Sequence, residues 1–558
     1  MWQAVVEKYA EISEQYMVIR ESMAMLRLSR SELALLTIRK AWHDARMGWQ
    51  DWKKHHNKTI QFVVLAVAIF SALSLLDRVI LRFTSLRRHG LPVLERPKGV
   101  HRWDYAALLK EGARRYPDAP YILAYSGYEY VVYPSSSFDE VKRLPASQAS
   151  MIEWFTHVFF QGWRFLGYES SSLYKTIGVD LARAVPSQVQ ERQQHARRAF
   201  ELAVGPCSEW KTLPLFQTSI DLIAITNATG LVGPKLGMDF RWLKALQRFV
   251  IAIMGAIFAS HAVPSIIRLV VSPIVFTPAW CFYYYMKWLL RPIIRHELKS
   301  HGSTVDNGDK TFIPAKADGS FPMTKWLLSR YKVDEATPGQ VAHDLIVASF
   351  ESTPSMAGTL YMILSELVIR PALIEELRAE VSHNMADGRL PRTSLGELKK
   401  LDSLMRESSR VHPFGYLTLF RRLKQPVQLS VGPRLPAGSL ICVDAYHIGI
   451  SKALWRDPHI FDPMRFLKLR KQPGHEDMHQ FTSLGADSPG WGDGLQACPG
   501  RAFAGNTLKI VLAHLLMNYD IKLPPGAEKP KRFSMPNGSL APDMKAHILF
   551  RKRRVKGD

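Results

Sequence analysis

The chain has 558 residues, 47% hydrophobic and 22% charged, which excludes a disordered or collagen-like polymer and leaves ample material for a large core. Its 4 cysteines are too few for a disulfide scaffold, so at most one or two carry chemistry. The formal net charge of +23 suits nucleic acid, an anionic membrane surface or an acidic protein partner, and composition alone does not choose among them.

At about 150 residues per domain the length alone allows three to four domains. Residues 1–59 show helical periodicity and mixed charge with no catalytic pattern, and read as an N-terminal helical extension. From Ile60 to Leu76 the chain carries 17 uncharged residues, at the short end of what crosses a bilayer core. The run starts too far into the chain for a secretory signal peptide. The stretch 60–82 reads as a transmembrane anchor, with Arg78 and Arg82 long enough to reach the headgroups. A buried core helix is the alternative, against which stand the polar stretch before the run and the basic, Pro-containing linker at 83–98 after it. Basic residues number 5 in 40–59 and 6 in 77–98, so the positive-inside rule leans slightly towards a cytosolic C-terminal part.

Beyond the linker, residues 99–558 read as one large domain, mainly α with a minor β part. The run Gly127–Pro134, rich in Tyr and Val, predicts a strand. Residues 140–410 follow spacings of three and four and read mainly as helix. Within them, 249–267 and 269–286 are uncharged but interrupted by Pro264, Pro273 and Pro278, with an aromatic cluster at Trp280 and Tyr283–Tyr285. Buried or membrane-dipping helices suit these segments better than a hairpin through the bilayer. A long helical pattern covers 338–383, and a further helix over about 395–411 must stop before His412-Pro413. Short strands are expected within 417–444, loop over 455–500 and a helix over about 499–518.

His475-Glu476-Asp477-Met478-His479 matches the H-E-x-x-H pattern, in which two histidines share a helix face, bind zinc and leave the glutamate to activate water. Pro473-Gly474 precede it and no amphipathic helix supports the spacing, so a solvated loop is the reading and a zinc hydrolase the alternative. Cys498 stands out instead. Gly490, Gly492 and Gly494 permit tight turns and the close approach of a flat ligand. Pro499 suits the first position of a following helix, whose positive end would favour a thiolate. Cys207, Cys281 and Cys442 read as inert.

The stretch Trp491 to Arg501 resembles the haem-binding signature F-x-x-G-x-x-x-C-x-G of the cytochrome P-450 family, with Trp491 in place of Phe. Glu407-Ser408-Ser409-Arg410 is similar to the family's E-x-x-R element, and Pro463-Met464-Arg465-Phe466 to its later P-x-R-F element. The resemblance covers roughly residues 90–558 and looks most like fungal, membrane-bound enzymes of terpenoid and other secondary metabolism, similar to the ent-kaurene oxidase type. It implies the cytochrome P-450 fold behind a transmembrane helix. It also implies haem b with Cys498 as axial iron ligand, and Trp491, Gly492, Gly494, Gln496, Gly500 and Arg501 around it. Gln496 stands where the family commonly has Arg or His on a haem propionate. A structural cluster of Glu407, Arg410 and Arg465 is implied.

An acid–alcohol pair on the central helix is implied too. Ala348-Ser349-Phe350-Glu351-Ser352 fits it loosely, and counting back from Pro371 points to Ser355 beside Pro354, with Glu351, Ser352 and Thr353 as further candidates. Pro354 is expected to kink the helix there. Phe350, Phe414, Tyr416, Leu417 and Ser539-Leu540 fall where the family places substrate contacts. The implied activity is monooxygenation of an apolar metabolite, a terpenoid or related isoprenoid, by O2. Electrons come from NADPH through cytochrome P-450 reductase, with cytochrome b5 as a second donor. The implied location is the endoplasmic reticulum, single-pass, with the haem domain in the cytosol. On this reading the +23 charge fits an anionic membrane surface and an acidic electron donor rather than nucleic acid. A non-enzymatic membrane scaffold or transporter is the remaining alternative.

Overall fold

The computed structural model describes residues 39–40, 42–44, 46–47, 58–82, 86, 89–101, 103–125, 127–161, 163, 170–305, 323–331, 336–535 and 540–553. Most of the expected extension over 1–59, and Ser539, lie outside these described residues. Two compact units result, Met1–Val79 and Ile80–Asp558. Helices of ten residues or more are numbered below in chain order.

Helix α1, Lys58–Arg82, contains the uncharged run. Phe62, Val67, Ile69 and Leu75 are all exposed, so the helix is apolar on every side without covering itself. A helix of that kind is stable in a core or in lipid, not as a free rod in water.

In the second unit α2 (Tyr105–Arg115) packs against a five-stranded sheet of order β1-β2-β6-β5-β3. Its strands are Tyr121–Tyr125, Tyr128–Tyr133, Leu440–Asp444, Leu417–Leu423 and Ala149–Ser150, in that order. The predicted Tyr/Val strand is β2, whose Val131 pairs with Ile441 in a parallel ladder. A second sheet joins β4 (Lys211–Pro214), β10 (His547–Lys552) and β7 (Tyr519–Lys522), and β8 (Arg532–Ser534) pairs with β9 (Leu540–Pro542). Strand β4 interrupts a segment whose periodicity reads as helix. It forms because β10, over 300 residues later, supplies its hydrogen-bond partners.

The main core lies among helices. Helix α3 is Met151–Phe160, α4 Val189–Ala203 and α5 Leu215–Val232. Helices α5 and α6 (Phe240–Ala262) are apolar enough to cross a membrane by composition, yet 83% and 50% of their apolar windows are buried inside the protein. The two further apolar segments resolve into the end of α6, α7 (Ser265–Val275) and α8 (Thr277–Val305), with a bend of 42° between the last two.

The single pattern over 338–383 divides into three helices. They are α9 (Pro338–Glu351), α10 (Pro354–Leu367) and α11 (Pro371–His383), each with proline in its first turn. Proline lacks the N–H that would bond back four residues, and at Pro338, Pro354 and Pro371 a new helix starts, whereas α7 and α8 run through Pro273 and Pro292. The line of α9 and α10 meets α11 at 116°. Helix α12, Lys399–Val411, begins four residues later than its periodicity suggests, because a 3-10 turn at Ser394–Gly396 precedes it, and ends before Pro413. Helix α13, Arg501–Asn518, closes the helical core.

Candidate functional site

Cys498 sits at the end of a tightly wound loop. Gly492 and Gly494 hold φ of 66° and 67°, in the left-handed region. A Cβ on Gly494 would lie 2.5 Å from the carbonyl oxygen of Lys142, so no larger residue fits. The Cys498 N–H donates to the Trp491 carbonyl at 2.8 Å, closing the loop on itself. Trp491 is its strut: the indole N–H donates to the Phe481 carbonyl at 2.7 Å and the ring stands edge-on to Phe481. Asp493 accepts from Lys142 Nζ at 3.2 Å, and the Tyr174 hydroxyl donates to the Ala497 carbonyl at 2.6 Å.

Pro499 does not occupy the first helical position. Gly500 caps α13, which starts at Arg501, and Pro499 lies one residue before the cap because the chain turns there. Arg501 Nη1 donates back to the Cys498 carbonyl at 3.1 Å. The thiol is half-buried and in no disulfide, and sits just ahead of the free N–H groups of a helix, where a thiolate is favoured.

Gln496 is placed otherwise than the resemblance implies. Its Nε2 donates to the carbonyls of Leu144 and Ala149 at 3.3 and 2.9 Å, and its Oε1 accepts from the Met151 N–H at 2.8 Å. An amide tied to three backbone groups has little left for a carboxylate, and Gln496 pins the cysteine loop to β3 and the start of α3 instead.

The residue that sequence reasoning missed is Arg421 on β5. It is 2% exposed, and its Nε and Nη2 have no partner among the described residues, while Nη1 donates to the Phe420 carbonyl. Burial pushes its pKa down to about 10, so it stays charged at neutral pH, and it is within electrostatic reach of Tyr174, which touches the cysteine loop. A buried, charged and half-unsatisfied guanidinium calls for an anion. The available signal was Arg421-Arg422 in a strand, where alternation must turn one of two adjacent arginines inward. A half-buried thiol, a cradle only glycine fits and a buried unsatisfied cation together suit haem, which brings an iron, a flat face and carboxylates.

The acid and bases singled out from two distant segments meet. Glu407, with no exposed surface, takes Arg410 in a fork, Nε to Oε2 at 2.8 Å and Nη2 to Oε1 at 2.7 Å, while Arg465 Nε lies 3.1 Å from Oε2. The remaining guanidinium hydrogens go to backbone carbonyls of Gly449, Pro458, Arg456 and Ile460. This cluster ties the 449–465 segment to α12 with no group left for chemistry.

At the break between α9 and α10 each candidate hydroxyl serves the turn before it. Ser352 and Thr353 both donate to the Ser349 carbonyl, at 3.2 and 2.9 Å, and Ser355 donates to the Glu351 carbonyl at 3.0 Å. Thr353 is buried, whereas Glu351, Ser352 and Ser355 are only partly so. Phe350 is buried edge-on against Phe249 of α6. Phe414 is exposed and reaches Gly358 of α10, and Tyr416 stands edge-on to Tyr446. Leu417 is buried in the core between α2 and the five-stranded sheet, and Leu540 is half-buried on β9.

Turns, not a helix, run through 475–479, so the H-E-x-x-H residues do not present the two histidines one turn apart on a helix face. Among the described residues no group of three or more His, Cys, Asp or Glu is placed to hold a metal ion. The zinc hydrolase alternative loses its geometry.

A family model described as cytochrome P-450 matches residues 239–550. A cytochrome P-450 monooxygenase of Aspergillus flavipes is 46% identical over 464 residues, which is 83% of this chain and 87% of the relative. A cytochrome P-450 monooxygenase of Pyricularia oryzae is 41% identical over 508 residues, 90% of this chain and 92% of the relative. The pyrichalasin C-18 hydroxylase of Pyricularia grisea is 40% identical over 464 residues, 83% of this chain and 86% of the relative. Among solved structures, the retinoic acid-bound cyanobacterial CYP120A1 superposes with a TM-score of 0.59 at 15% identity, over 83% of this chain and 100% of that one, which speaks for the fold.

Proposed function

The chain belongs to the cytochrome P-450 family and is a monooxygenase of it, and from that premise we propose that it hydroxylates an apolar secondary metabolite, a terpenoid or a similarly hydrocarbon-rich compound. The observation that carries the reading is the Cys498 thiol, half-buried ahead of α13, together with the half-unsatisfied Arg421, within electrostatic reach of the Tyr174 that touches its loop. Cys498 Sγ would ligate the iron, and Arg421 would neutralise a propionate in place of Gln496, whose amide is bonded to backbone groups. When bound, haem b supplies activation of O2 and transfer of one oxygen atom to a C–H bond, and a thiolate ligand favours O–O cleavage over reversible O2 binding.

The protein's own part in that reaction is to hold protons and exclude water. Pro354 offers no N–H to the Phe350 carbonyl, which takes the Thr353 N–H at 3.3 Å instead, and beside this break the Ser355 hydroxyl donates to the Glu351 carbonyl. Ser355 is reachable by water and Thr353 is not, which favours Ser355 as the hydroxyl that passes a proton, with the Glu351 carboxylate as its source from solvent. Phe350 and Phe414 would present apolar surface to the substrate, as a pocket for a hydrocarbon needs. The printed name of one relative, a C-18 hydroxylase of pyrichalasin, supports hydroxylation of a carbon skeleton as the reaction.

Electrons would come from NADPH through cytochrome P-450 reductase, with cytochrome b5 as a second donor, both acidic partners that the +23 charge suits. Helix α1, apolar all round, would anchor the chain once in the endoplasmic reticulum with the haem unit in the cytosol.

The test is spectroscopic. The reduced, carbon monoxide-treated wild type should show a band near ~450 nm, the mark of thiolate-bound haem, and Cys498→Ala should lose it. A haem-replete wild type without the band overturns the reading. Isotopic oxygen from 18O2 should then appear in the product when reductase, NADPH and candidate terpenoids are supplied.

A further inference from the structure

One pair of side chains outside the haem site has chemistry that the monooxygenase reading does not use. His475 and His479 lie on the turns that follow Pro473-Gly474, with ring centres 5.3 Å apart. His475 Nδ1 and His479 Nε2 are both buried, and neither has a hydrogen-bond partner among the described residues. Buried ring nitrogens are ordinarily paired, so two partnerless ones on neighbouring rings need an explanation.

The tautomer of His479 is fixed from outside. Its Nδ1 lies 3.3 Å from Asp487 Oδ2, and that oxygen also accepts from Arg406 Nη2 at 2.8 Å. Asp487 is therefore an acceptor, Nδ1 carries the hydrogen and Nε2 presents a lone pair. A carboxylate behind a histidine is the usual support of a metal-binding imidazole, because it orients the ring and raises its basicity.

The spacing has the same sense. A zinc–nitrogen bond of about 2.0–2.1 Å, plus about 1.1 Å from nitrogen to ring centre, puts each centre about 3.2 Å from the ion; two rings at a tetrahedral angle then lie about 5.2 Å apart. His479 itself has φ of 58°, in the left-handed region that it shares with Gln161, Asp387, Leu419 and Asp457.

We propose that His475 and His479 form a two-imidazole site for a zinc ion, with water completing its shell and Asp487 orienting the second ring. With no third protein ligand among the described residues, the ion is held reversibly and exchanges with free metal, unlike a closed structural centre. Its effect reaches the cysteine loop through a short path. Two residues beyond His479, the Phe481 carbonyl holds the Trp491 indole, so a zinc clip on 475–479 stiffens the strut of Cys498.

The experiment uses the full-length, untagged chain stripped of metal by chelating resin and titrated calorimetrically with zinc chloride alone. The wild type should bind about one equivalent at this site. His475→Ala and His479→Ala should each remove it, and Asp487→Asn should weaken it about tenfold. Amide exchange over 475–481 should slow on zinc addition in the wild type and not in either histidine variant. Circular dichroism identifies a variant that fails to fold, in which case His475→Gln, which keeps the size but not the geometry, takes its place. No zinc uptake by the wild type overturns the proposal. So does unchanged stoichiometry and affinity in both histidine variants, or uptake that leaves exchange over 475–481 unaltered.

Discussion

A guanidinium taken out of water and given one backbone acceptor is an expensive thing to keep, and Arg421 is kept in the middle of β5. Its cost is offset only when an anion arrives, which makes two measurements move in opposite directions. Arg421→Leu should leave the haem-free protein as stable as the wild type or more so in a thermal melt, while haem retention falls about tenfold, since a hydrogen-bonded charge contributes about 1.5–3 kcal/mol. Parallel loss of both would mean that Arg421 is only structural. Ser355 invites the complementary experiment. Removing the hydroxyl in Ser355→Ala should lower product formation at least about tenfold while NADPH consumption continues, because proton delivery and electron delivery come apart. Equal falls in both rates would exclude a proton-passing role.

The Glu407 cluster joins elements that are distant in sequence. Glu407 and Arg410 are one turn apart on α12, a spacing the sequence displays openly, but Arg465 comes from a different helix. The arginines satisfy carbonyls of a loop that could not otherwise be buried, so the cluster acts as a rivet between α12 and the 449–465 segment. Glu407→Ala leaves two buried cations facing each other, and the urea midpoint should shift by an amount equivalent to about 3–5 kcal/mol. A change under about 1 kcal/mol would place the pair among surface-like ion pairs and refute the rivet. The broken central helix belongs to the same scale. Three prolines spaced along 338–371 begin three helices, a consequence of the missing N–H that periodicity alone does not reveal, since apolar spacing continues straight through them.

Across the whole molecule, burial of histidines sets the response to acid. His157, His195 and His514 come from α3, α4 and α13, and burial first, with nearby arginines second, pushes each down to about 4. In the unfolded chain the same groups titrate near ~6.5. Between pH 6.5 and 4 the unfolded state therefore binds protons that the folded state does not, and stability must fall as pH falls through that window. Denaturation midpoints should be flat above about pH 7, decline from about pH 6.5, and lose this contribution to the slope below about pH 4. Midpoints unchanged between pH 7 and 5 would show these histidines to be solvated in the folded protein.

How far the sequence went is visible in particular residues. Cys498, its glycines, and the pair Glu407 and Arg410 were legible because their meaning lies in spacing over a few positions, and the backbone obeys local rules of turn and helix. Helix α13 and strands β2, β5 and β6 were legible for the same reason. Strand β4 was not, because it exists only when β10 pairs with it. Neither was the partnership of Gln496 with β3 and α3, nor the isolation of Arg421, because each depends on which distant backbone groups arrive beside the side chain. The apolar helices make the same distinction. By length and composition α5 and α6 are apolar enough to span a membrane and the run Ile60–Leu76 of α1 is shorter, yet packing buries 83% of the apolar window of α5 while the apolar faces of α1 remain exposed. The sequence by itself thus determined the family, the thiolate candidate and the helical content, since these rest on residue type and short-range geometry. Burial and long-range hydrogen bonding, which exist only once the chain has folded, decided which polar groups are spent on structure and which are left for a ligand.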